Sequence, residues 1–313
     1  MANKATTARE ISGRAESRSL TFAETGTPMV SVIIPHYNDL DNLRRCLRLL
    51  EDQTLPRHAF EIVVADNNSR YGLGELERAC GTIARVVPAS IQGAGPARNA
   101  AIAASRGTTL AFTDSDCRPS PTWLELGAAA LTTADMVGGR VEVIVEDETH
   151  LSPVEAFERV FAFNFKRYVE ELGFCGGANM FVSRAIFDRV GPFRAKVTED
   201  MDWGKRASAA GFRWRYAPEA VVSHPARRTW PELKKKLRRR AREDFAIAVE
   251  EPNGRFLWFV RSIAILASPL AHWIKVVRSD KLDTTGQRLK AIVVLFRVRF
   301  WRFVECNRLL LGR

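Results

Sequence analysis

Two aspartates at the end of a short apolar segment are the residues of this chain best suited to chemistry. Asp114 and Asp116 follow the apolar run 110–112, which predicts a buried strand. Such a strand end points its side chains into the crevice where open α/β sheets bind ligands. Paired carboxylates there suit Mg²⁺ or Mn²⁺, and such ions often take further ligands from substrate phosphates. The alternative is a solvated turn, because Asp and Ser are common turn residues.

The surrounding sequence alternates between strand and helix patterns. Apolar runs predict four strands, at 29–34, 60–65, 83–87 and 110–112. Apolar residues at helical spacing predict three helices, at 39–51, 74–80 and 96–105. Repeated strand–helix units of this length imply an α/β fold, with a mostly parallel sheet covered by helices on both faces.

Polar residues follow three of the predicted strands, at 35–39, 66–69 and 114–116. The carboxyl ends of parallel strands meet at one edge of a sheet, so we expect these residues to converge. That edge would suit a nucleotide, with acceptors for the base or ribose and a metal ion for the diphosphate.

A glycine-rich loop at 93–99 leads into the third helix. Pro96 suits a first helical turn, and Arg98 lies where a cation is mildly unfavourable against the helix dipole. That placement predicts a phosphate facing Arg98, with a solvated arginine on a simple connector as the alternative. The spacing matches neither an ATP-binding P-loop nor a dinucleotide fingerprint.

Composition narrows the class of protein. The chain has 313 residues, 46% of them hydrophobic and 27% charged, which is typical of a globular protein. Its net charge of +11 indicates an anionic partner, which is nucleic acid, anionic lipid or a phosphorylated substrate. Five scattered cysteines favour buried thiols in a reducing compartment over disulfides or zinc. Residues 1–27 lack periodicity and a signal-peptide core, so we expect a disordered tail.

A series of motifs resembles the family 2 glycosyltransferases, which are inverting, nucleotide-sugar-dependent enzymes with the GT-A fold. The resemblance covers roughly residues 28–224. The motifs are Ser31-Val32-Ile33-Ile34-Pro35-x-Tyr37-Asn38, Asp66-x-x-Ser69, Gly95-x-x-Arg98-Asn99, Asp114-x-Asp116, Gly176-Gly177-Ala178-Asn179-Met180, Val190-Gly191-Pro192-Phe193 and Glu199-Asp200-Met201-Asp202-x-x-x-Arg206.

The resemblance implies a role for each matching residue. Asp66 would contact the base, and Asp114 and Asp116 would hold Mn²⁺ or Mg²⁺ and, through it, the diphosphate. His224 matches a third metal ligand of some members, with a packed or surface histidine as the alternative. The implied nucleotide-sugar-binding residues are Pro35, Tyr37, Asn38, Asp66, Ser69, Gly95, Arg98, Asn99, Asp114, Ser115, Gly176, Gly177 and Asn179.

The resemblance also implies a catalytic acidic pair, Glu199 and Asp200, whose aspartate is the general base. Asp202 competes for that role. On a helix Asp200 and Asp202 point roughly 200° apart, so only one of them can face the cleft. Asp202 and Arg206 have the i, i+4 spacing of a structural ion pair. We therefore choose Asp200.

Two departures from the family pattern bear on activity. Cys117 and Arg118 follow the aspartates where many members have another acid. No Gln-x-x-Arg-Trp motif follows the acidic pair, and that motif marks the processive polymer synthases of the family. Its absence favours transfer of one sugar per encounter.

The composition changes after His224. Nine Lys or Arg and one acid lie in 226–242, which predicts a basic helix from Pro231. Residues 256–277 are largely apolar, but Arg261 and Lys275 would be costly in a spanning helix. A last helix at 284–311 mixes aromatic and basic residues. Such helices lie in the membrane interface more readily than they cross it.

These observations predict three regions: the tail 1–27, a catalytic domain at 28–225, and a basic amphipathic helical region at 226–313. We expect the last to bind an anionic membrane surface, with a helical cap on the catalytic domain as the alternative. The expected protein is cytoplasmic and peripheral on the inner face of the cell membrane.

The expected reaction moves one sugar from a nucleotide sugar, foremost a UDP-sugar, to a hydroxyl of a glycan or lipid-linked acceptor in surface polysaccharide or glycolipid assembly. A sugar-phosphate nucleotidyltransferase is the enzymatic alternative, and it would release diphosphate. Nucleic-acid binding is disfavoured, because the positive charge is concentrated after residue 225 and the acidic strand ends would repel phosphate without a metal.

Overall fold

A computed structural model describes residues 28–312 of the chain, so the predicted tail 1–27 lies outside the described residues. One eight-stranded sheet runs through the molecule in the order β3–β2–β1–β4–β7–β6–β8–β5. The strands are β1 (Val30–His36), β2 (Phe60–Asp66), β3 (Arg85–Pro88), β4 (Thr109–Phe112), β5 (Arg118–Pro119), β6 (Met136–Ile144), β7 (Met180–Ser183) and β8 (Trp214–Pro225).

The first four strands form the parallel part of the sheet, as their sequence predicts. β1 lies between β2 and β4, and both neighbours run parallel to it. Because β1 is flanked on both sides, its apolar residues are almost all buried. The strand continues through Pro35 to His36, beyond its predicted end, since its register with β2 extends to the pair His36 and Asp66.

The other half of the sheet is mixed. β7 runs antiparallel to both β4 and β6, and the short β5 runs antiparallel to β8. β6 and β8 are parallel, with a register shift at Gly139/Arg140. The α/β class is confirmed, with the parallel pairs concentrated where the strand–helix alternation is clearest.

Helices cover both faces. They are α1 (Leu40–Glu51), α2 (Leu73–Cys80), α3 (Ala94–Ala104), α4 (Trp123–Leu131), α5 (Pro153–Phe161), α6 (Phe165–Glu170), α7 (Arg184–Val190), α8 (Glu199–Ala209), α9 (Trp230–Ala248), α10 (Gly254–Ala267), α11 (Pro269–Val277) and α12 (Thr285–Leu310). In α1 the side chain of Asp39 caps the first turn, and leucines at helical spacing are buried against the sheet. This agrees with the prediction.

Two hydrophobic cores are present in residues 28–312. The larger one surrounds the sheet. The smaller one joins α5 to the C-terminal helices, where Phe157 and Val160 pack with Leu233 of α9, Val276 of α11 and Leu295 of α12. The C-terminal region is therefore packed against the sheet domain through α5. All five cysteines are buried and unpaired, as the sequence predicts.

Large apolar side chains cover the outward faces of α10, α11 and α12. Phe256 is 66% exposed, Leu270 74% and Phe300 62%. On α12 the exposed residues Leu289, Val293, Phe296, Phe300 and Val304 form one stripe at helical spacing. Such a continuous apolar surface marks an interaction site.

Helix length and hydropathy decide whether any of these helices could cross a bilayer. Within the described residues, no single helix combines the length and hydropathy needed to cross a bilayer. The consecutive helices α10 and α11 would satisfy both criteria only as a pair, and they are bent by 46°.

Candidate functional site

The three polar strand ends converge at one edge of the sheet. β2, β1 and β4 are adjacent and parallel, so the segments after His36, Asp66 and Phe112 emerge side by side. A cavity of about 320 Å³ opens there. Its lining includes Pro35, Tyr37, Arg98, Asp114, Ser115, Asp116, Glu199, Asp200 and His224. The predicted convergence is confirmed, and nine of the predicted site residues line one space.

Arg98 connects Asp114, one of the two candidate metal ligands at the end of β4, to helix α8. Its guanidinium is only 3% exposed, donates to Asp114 Oδ1 at 2.6 Å, and also pairs with Glu199. Burial acts to lower the pKa of Arg98, but the charges of Asp114, Glu199 and Asp200 outweigh it and raise that pKa. Arg98 is thus a permanent buried cation that pairs with two carboxyl groups in the cleft.

Glu199 is the second anchor of Arg98. Burial raises the pKa of Glu199 despite the opposing charge of Arg98, and Asp200 raises it further. Its carboxyl contacts the Arg98 guanidinium and also lines the cavity. The geometry makes Glu199 a positioning residue for Arg98 and Asp114.

Asp116 and His224 face each other across the cleft. His224 Nδ1 lies 2.7 Å from the carbonyl oxygen of Pro225, which can only accept, so Nδ1 carries a hydrogen. Nε2 then points at Asp116 Oδ2 from 3.4 Å. Nε2 therefore has its lone pair on the side of Asp116, where it could serve as a metal ligand. A carbonyl that orients a histidine in this way is typical of metal ligands.

Cys117 also lies near the aspartates. Its sulfur and one oxygen from each of Asp114 and Asp116 lie within 4.8 Å of one another. Burial, and then the two carboxylates, raise the pKa of the Cys117 thiol well above its usual range. A neutral thiol is a poor ligand for a hard cation, which prefers oxygen. The carboxylates of Asp114 and Asp116 therefore fit Mn²⁺ or Mg²⁺ better than the thiol does, and His224 lies beside Asp116.

Helix α8 separates the two competing aspartates. Asp200 lines the cavity, where its Oδ2 accepts a hydrogen bond from the Gly177 amide at 3.1 Å. Asp202 is buried and accepts from Arg206 and Arg194, each at 3.0 Å. The predicted structural pair of Asp202 and Arg206 is confirmed. Asp200, in the first turn of α8, also benefits from the helix dipole as an anion.

Three predicted glycines are required by close packing. A Cβ on Gly177 would lie 2.5 Å from Cζ of Arg98. One on Gly95 would lie 2.9 Å from the Arg194 carbonyl oxygen, and one on Gly176 would lie 2.6 Å from Cζ of Phe165. These glycines let α3, α8 and the segment that leads into β7 pack closely around Arg98. In that indirect way they shape the cleft.

Two predicted asparagines serve the scaffold, and neither lines the cavity. The Asn179 side chain is fully buried and bonds Trp123 Nε1 and the Arg140 and Ala220 carbonyls, each at 2.9 Å. Asn99 exchanges two hydrogen bonds with the backbone of Phe193. Sequence reasoning placed both residues at the sugar nucleotide because they stand beside residues that do reach the cleft.

The β1 and β2 ends form a linked pair of loops. Asn38 adopts a positive φ of 56°, its amide donates to Ser69 Oγ, and its Oδ1 accepts from the Arg70 amide. Asp66 is buried, and its Oδ1 accepts from the Ser69 amide at 3.1 Å. These three predicted residues shape the loops beneath Tyr37, which is 45% exposed in the cleft.

The basic segment after β8, which includes helix α9, contributes to the site residues that the sequence assigned to the membrane-binding region. A second cavity of about 690 Å³ adjoins the first and shares Asp116 and His224 with it. Arg227 and Arg239 line both cavities, and Glu243 lines the second. The missed signal is the density of arginine directly after His224, which supplies positive charge to a cleft that must hold phosphates.

A buried carboxylate anchors this basic segment. Glu158 of α5 pairs with Arg227 Nη1 at 3.1 Å and with Lys236 Nζ at 3.3 Å. Burial lowers the pKa of Lys236 to about 8, against the opposing effect of Glu158. Lys236 Nζ also lies 4.9 Å from the ring centroid of Phe163, which packs against His224. Helix α9 is thus fixed directly over the cleft.

Comparison with known proteins shows which family the chain resembles. Residues 31–191 match the model of the family described as glycosyl transferase family 2. The chain is 36% identical over 222 residues to the glycosyltransferase AglE of Haloferax volcanii, a match that covers 67% of this chain and 71% of AglE. Two further curated glycosyltransferases are longer, and the matches cover 52% and 43% of their lengths.

Solved structures show the same fold. The mannosyltransferase PcManGT from Pyrobaculum calidifontis, in complex with GDP-Man and Mn²⁺, is similar with a TM-score of 0.59 and 19% identity, covering 91% of this chain and 87% of that one. TarS 1-349 of S. aureus, in complex with UDP-GlcNAc, gives a TM-score of 0.50 at 16% identity, covering 87% and 90%. Both neighbours bind a nucleotide sugar.

Proposed function

The chain belongs to glycosyl transferase family 2, and from that premise we propose that it transfers a single sugar from a nucleotide sugar to an acceptor hydroxyl with inversion. The observation that carries this proposal is the shared cavity. Asp114 and Asp116 lie at a sheet edge suited to a diphosphate, and Asp200 lies on helix α8 in the same cavity.

The metal dependence rests on the donor set. Asp114 Oδ1 is held by Arg98, so its other oxygen remains for a cation. Asp116 Oδ2 lies 3.4 Å from His224 Nε2, so both atoms are placed where one cation could contact them. A bound Mn²⁺ or Mg²⁺ would neutralise charge on the leaving diphosphate, a contribution of several kcal/mol. The structural neighbour PcManGT is in complex with Mn²⁺.

Asp200 would be the general base. Its Oδ2 accepts from Gly177 and its Oδ1 from the Met201 amide, which fixes the carboxylate plane and leaves lone pairs on both oxygens. It would take the acceptor proton as the hydroxyl attacks the anomeric carbon, for roughly 10²–10⁴-fold in rate. A single displacement of this kind inverts the anomeric centre.

The ligands of the structural neighbours guide the choice of donor nucleotide and acceptor to test. Neighbours are in complex with GDP-Man and with UDP-GlcNAc. We retain a UDP-sugar as the first donor to test, and a glycan or lipid-linked alcohol as the acceptor. Surface polysaccharide or glycolipid assembly is the expected setting.

We also propose peripheral attachment to the inner face of the cell membrane. The apolar outward faces of α10, α11 and α12 support it, together with unpaired cations on α9. The inner face of these helices packs on α5, as expected for a helical cap. Their outward face is the one that would contact a membrane. The five buried free thiols are consistent with a reducing compartment.

Product analysis tests the proposed reaction. The purified protein is incubated with a panel of nucleotide sugars and Mn²⁺, and products are separated and their anomeric configuration read by NMR. The expected product is a nucleoside diphosphate together with an inverted sugar. Release of diphosphate would instead identify a nucleotidyltransferase, retention at the anomeric carbon would exclude the single displacement, and full activity in EDTA would exclude the metal.

A further inference from the structure

A basic groove lies on helix α9 beside the cleft. It encloses about 570 Å³ and is lined by six cations and one acid, Glu243. The cations are Lys196, Lys234, Lys235, Arg238, Arg239 and Arg242. We call this feature the α9 groove.

Most charged residues around the cleft are paired, but four of the six cations of the α9 groove are not. Within residues 28–312, Lys196, Lys234, Lys235 and Arg242 form no salt bridge. By contrast, Arg227 and Lys236, which lie closer to the cleft floor, share the buried carboxylate of Glu158. Gathering unpaired like charges in one groove costs repulsion that a bound anion would relieve.

The groove is continuous with the catalytic cleft. Lys235, Arg239 and Glu243 line both the α9 groove and the cavity that contains Asp116 and His224. The groove approaches the cleft from the side of helix α8, because Lys196, which precedes α8, lines the groove, and Arg239 lines both the groove and the cavity that contains Asp200. This is the side on which the proposed base would meet an acceptor.

At its other edge the groove borders the apolar surface. Arg238 Nε bonds Glu305 Oε1 of α12 at 3.2 Å, and its guanidinium lies 5.8 Å from the Trp301 ring centroid. The neighbouring α12 residues Phe300 and Val304 are 62% and 48% exposed. A path therefore leads from carboxylates, across cations, to an apolar surface.

We infer that the α9 groove binds the phosphate of a lipid-linked acceptor, whose hydroxyl reaches Asp200 while its hydrocarbon chain lies on the apolar face of α10–α12. The inference rests on the proposed function and specifies its acceptor class. The groove suits the acceptor's phosphate better than the donor's diphosphate, because Lys234 and Arg242 do not line the cavities that contain Asp116. Guanidinium and ammonium groups are the usual phosphate partners.

Binding measured by calorimetry in the absence of membranes tests this inference. Farnesyl phosphate, below its micellar concentration, is titrated into the full-length protein, with farnesol and inorganic phosphate as separate arms. We expect farnesyl phosphate to bind more tightly than either. Equal affinity for farnesol would overturn the phosphate site, and equal affinity for inorganic phosphate would overturn the lipid part.

Charge reversal then locates the site. Lys234→Glu with Arg242→Glu should weaken farnesyl phosphate binding by about tenfold or more. The matched reversal Arg48→Glu with Lys205→Glu, on exposed residues of α1 and α8, should leave it unchanged. Melting temperatures of both variants establish that they fold. Equal affinity of the α9 variant and the control would contradict the location.

Nucleotide titration separates this inference from the proposed function. UDP and GDP with Mn²⁺ are titrated into the same proteins. Loss of nucleotide binding in the α9 variant would assign the groove to the donor and overturn the inference. A wild-type protein that binds farnesyl phosphate but no nucleotide would instead contradict the proposed function.

Discussion

The sheet edge and the C-terminal helical layer differ in whether their charged side chains have partners within the protein. At the sheet edge, buried ions are paired, as in the chain Asp114, Arg98 and Glu199. In the α9 groove, four of the six cations have no carboxylate partner among the described residues, and helices α10–α12 expose large apolar side chains. The ions of the sheet edge find their partners within the protein. The unpaired cations and exposed apolar side chains of the helical layer suit an anionic, apolar ligand outside it.

The largest expected effects lie at the sheet edge, and they distinguish the two aspartates. Asp116→Asn should lower turnover by about 10³-fold, because a charged metal ligand is lost, with little change in stability. Asp114→Asn should lower turnover similarly and also destabilise the fold by about 1–3 kcal/mol, since buried Arg98 keeps only Glu199 as a full counter-charge. Turnover and urea unfolding measure both. Equal stability of the two variants would contradict the role of Arg98.

The next effect separates the two aspartates of α8. Asp200→Asn should lower turnover by about 10²-fold or more and leave the Kd for nucleotide and metal nearly unchanged. Asp202→Asn should act through stability, because it breaks the contacts to Arg194 and Arg206. Kinetics and thermal unfolding of both variants are the measurement. An exchange of these two behaviours would show that Asp202 is the base.

A smaller effect tests the helical layer. Phe256→Gln with Phe300→Gln should reduce binding to anionic vesicles by about tenfold or more, because each buried aromatic contributes roughly 1.5–3 kcal/mol. The matched pair Leu73→Gln and Leu172→Gln, exposed elsewhere, should have no effect. Sedimentation with vesicles measures the partition. Wild-type protein that stays in the supernatant would end the membrane proposal.

Substitution is a better test of this layer than deletion of residues 226–313. That segment contributes Leu233, Val276 and Leu295 to the core around α5, so its removal would expose α5. It also contributes Arg227 and Arg239 to the cleft. A deletion would therefore change binding, stability and the site together.

The smallest effect is a pH dependence at the border of the two regions. Burial raises the pKa of Glu243 from 4.5 to about 7, with Arg239 opposing and Glu199 adding to the rise. Ionising this carboxyl therefore costs the folded protein stability as pH rises from 4.5 to 7. Glu243→Gln should be more stable than wild type by about 1–2 kcal/mol at pH 8 and equal to it at pH 4. Urea unfolding at both values measures this, and an equal difference at both would contradict it.

The sequence predicted the structure best where a pattern has one physical explanation, as an apolar run that forms a buried strand does. Apolar runs ending in Asp66 and Asp114 predicted strands of one mostly parallel sheet, and the observed strands β2 and β4 flank β1 in parallel. It was less informative for Asn179 and Asn99, because an asparagine beside a cleft and one bonded to backbone have the same local sequence. It could not separate the two faces of α12, since apolar residues at helical spacing cover both the inner and the outer face.

Arginine was the hardest residue to assign. Arg98 was predicted to face a phosphate, and it lies buried between two carboxylates. Arg239 was assigned to a membrane-binding helix, and it lines the cleft. Both outcomes depend on which distant carboxylates the fold brings near, and no local pattern contains that information.

Nucleotide-dependent thermal stabilisation tests the central claim most directly. Wild-type protein and Asp116→Asn are melted with UDP or GDP, each in the presence of Mn²⁺ or EDTA. A nucleotide at about 100 times its Kd should stabilise wild type by roughly 2.7 kcal/mol with Mn²⁺, and this gain should disappear in EDTA and in Asp116→Asn. The same stabilisation in EDTA, or in Asp116→Asn, would contradict a metal-assisted nucleotide site at this sheet edge.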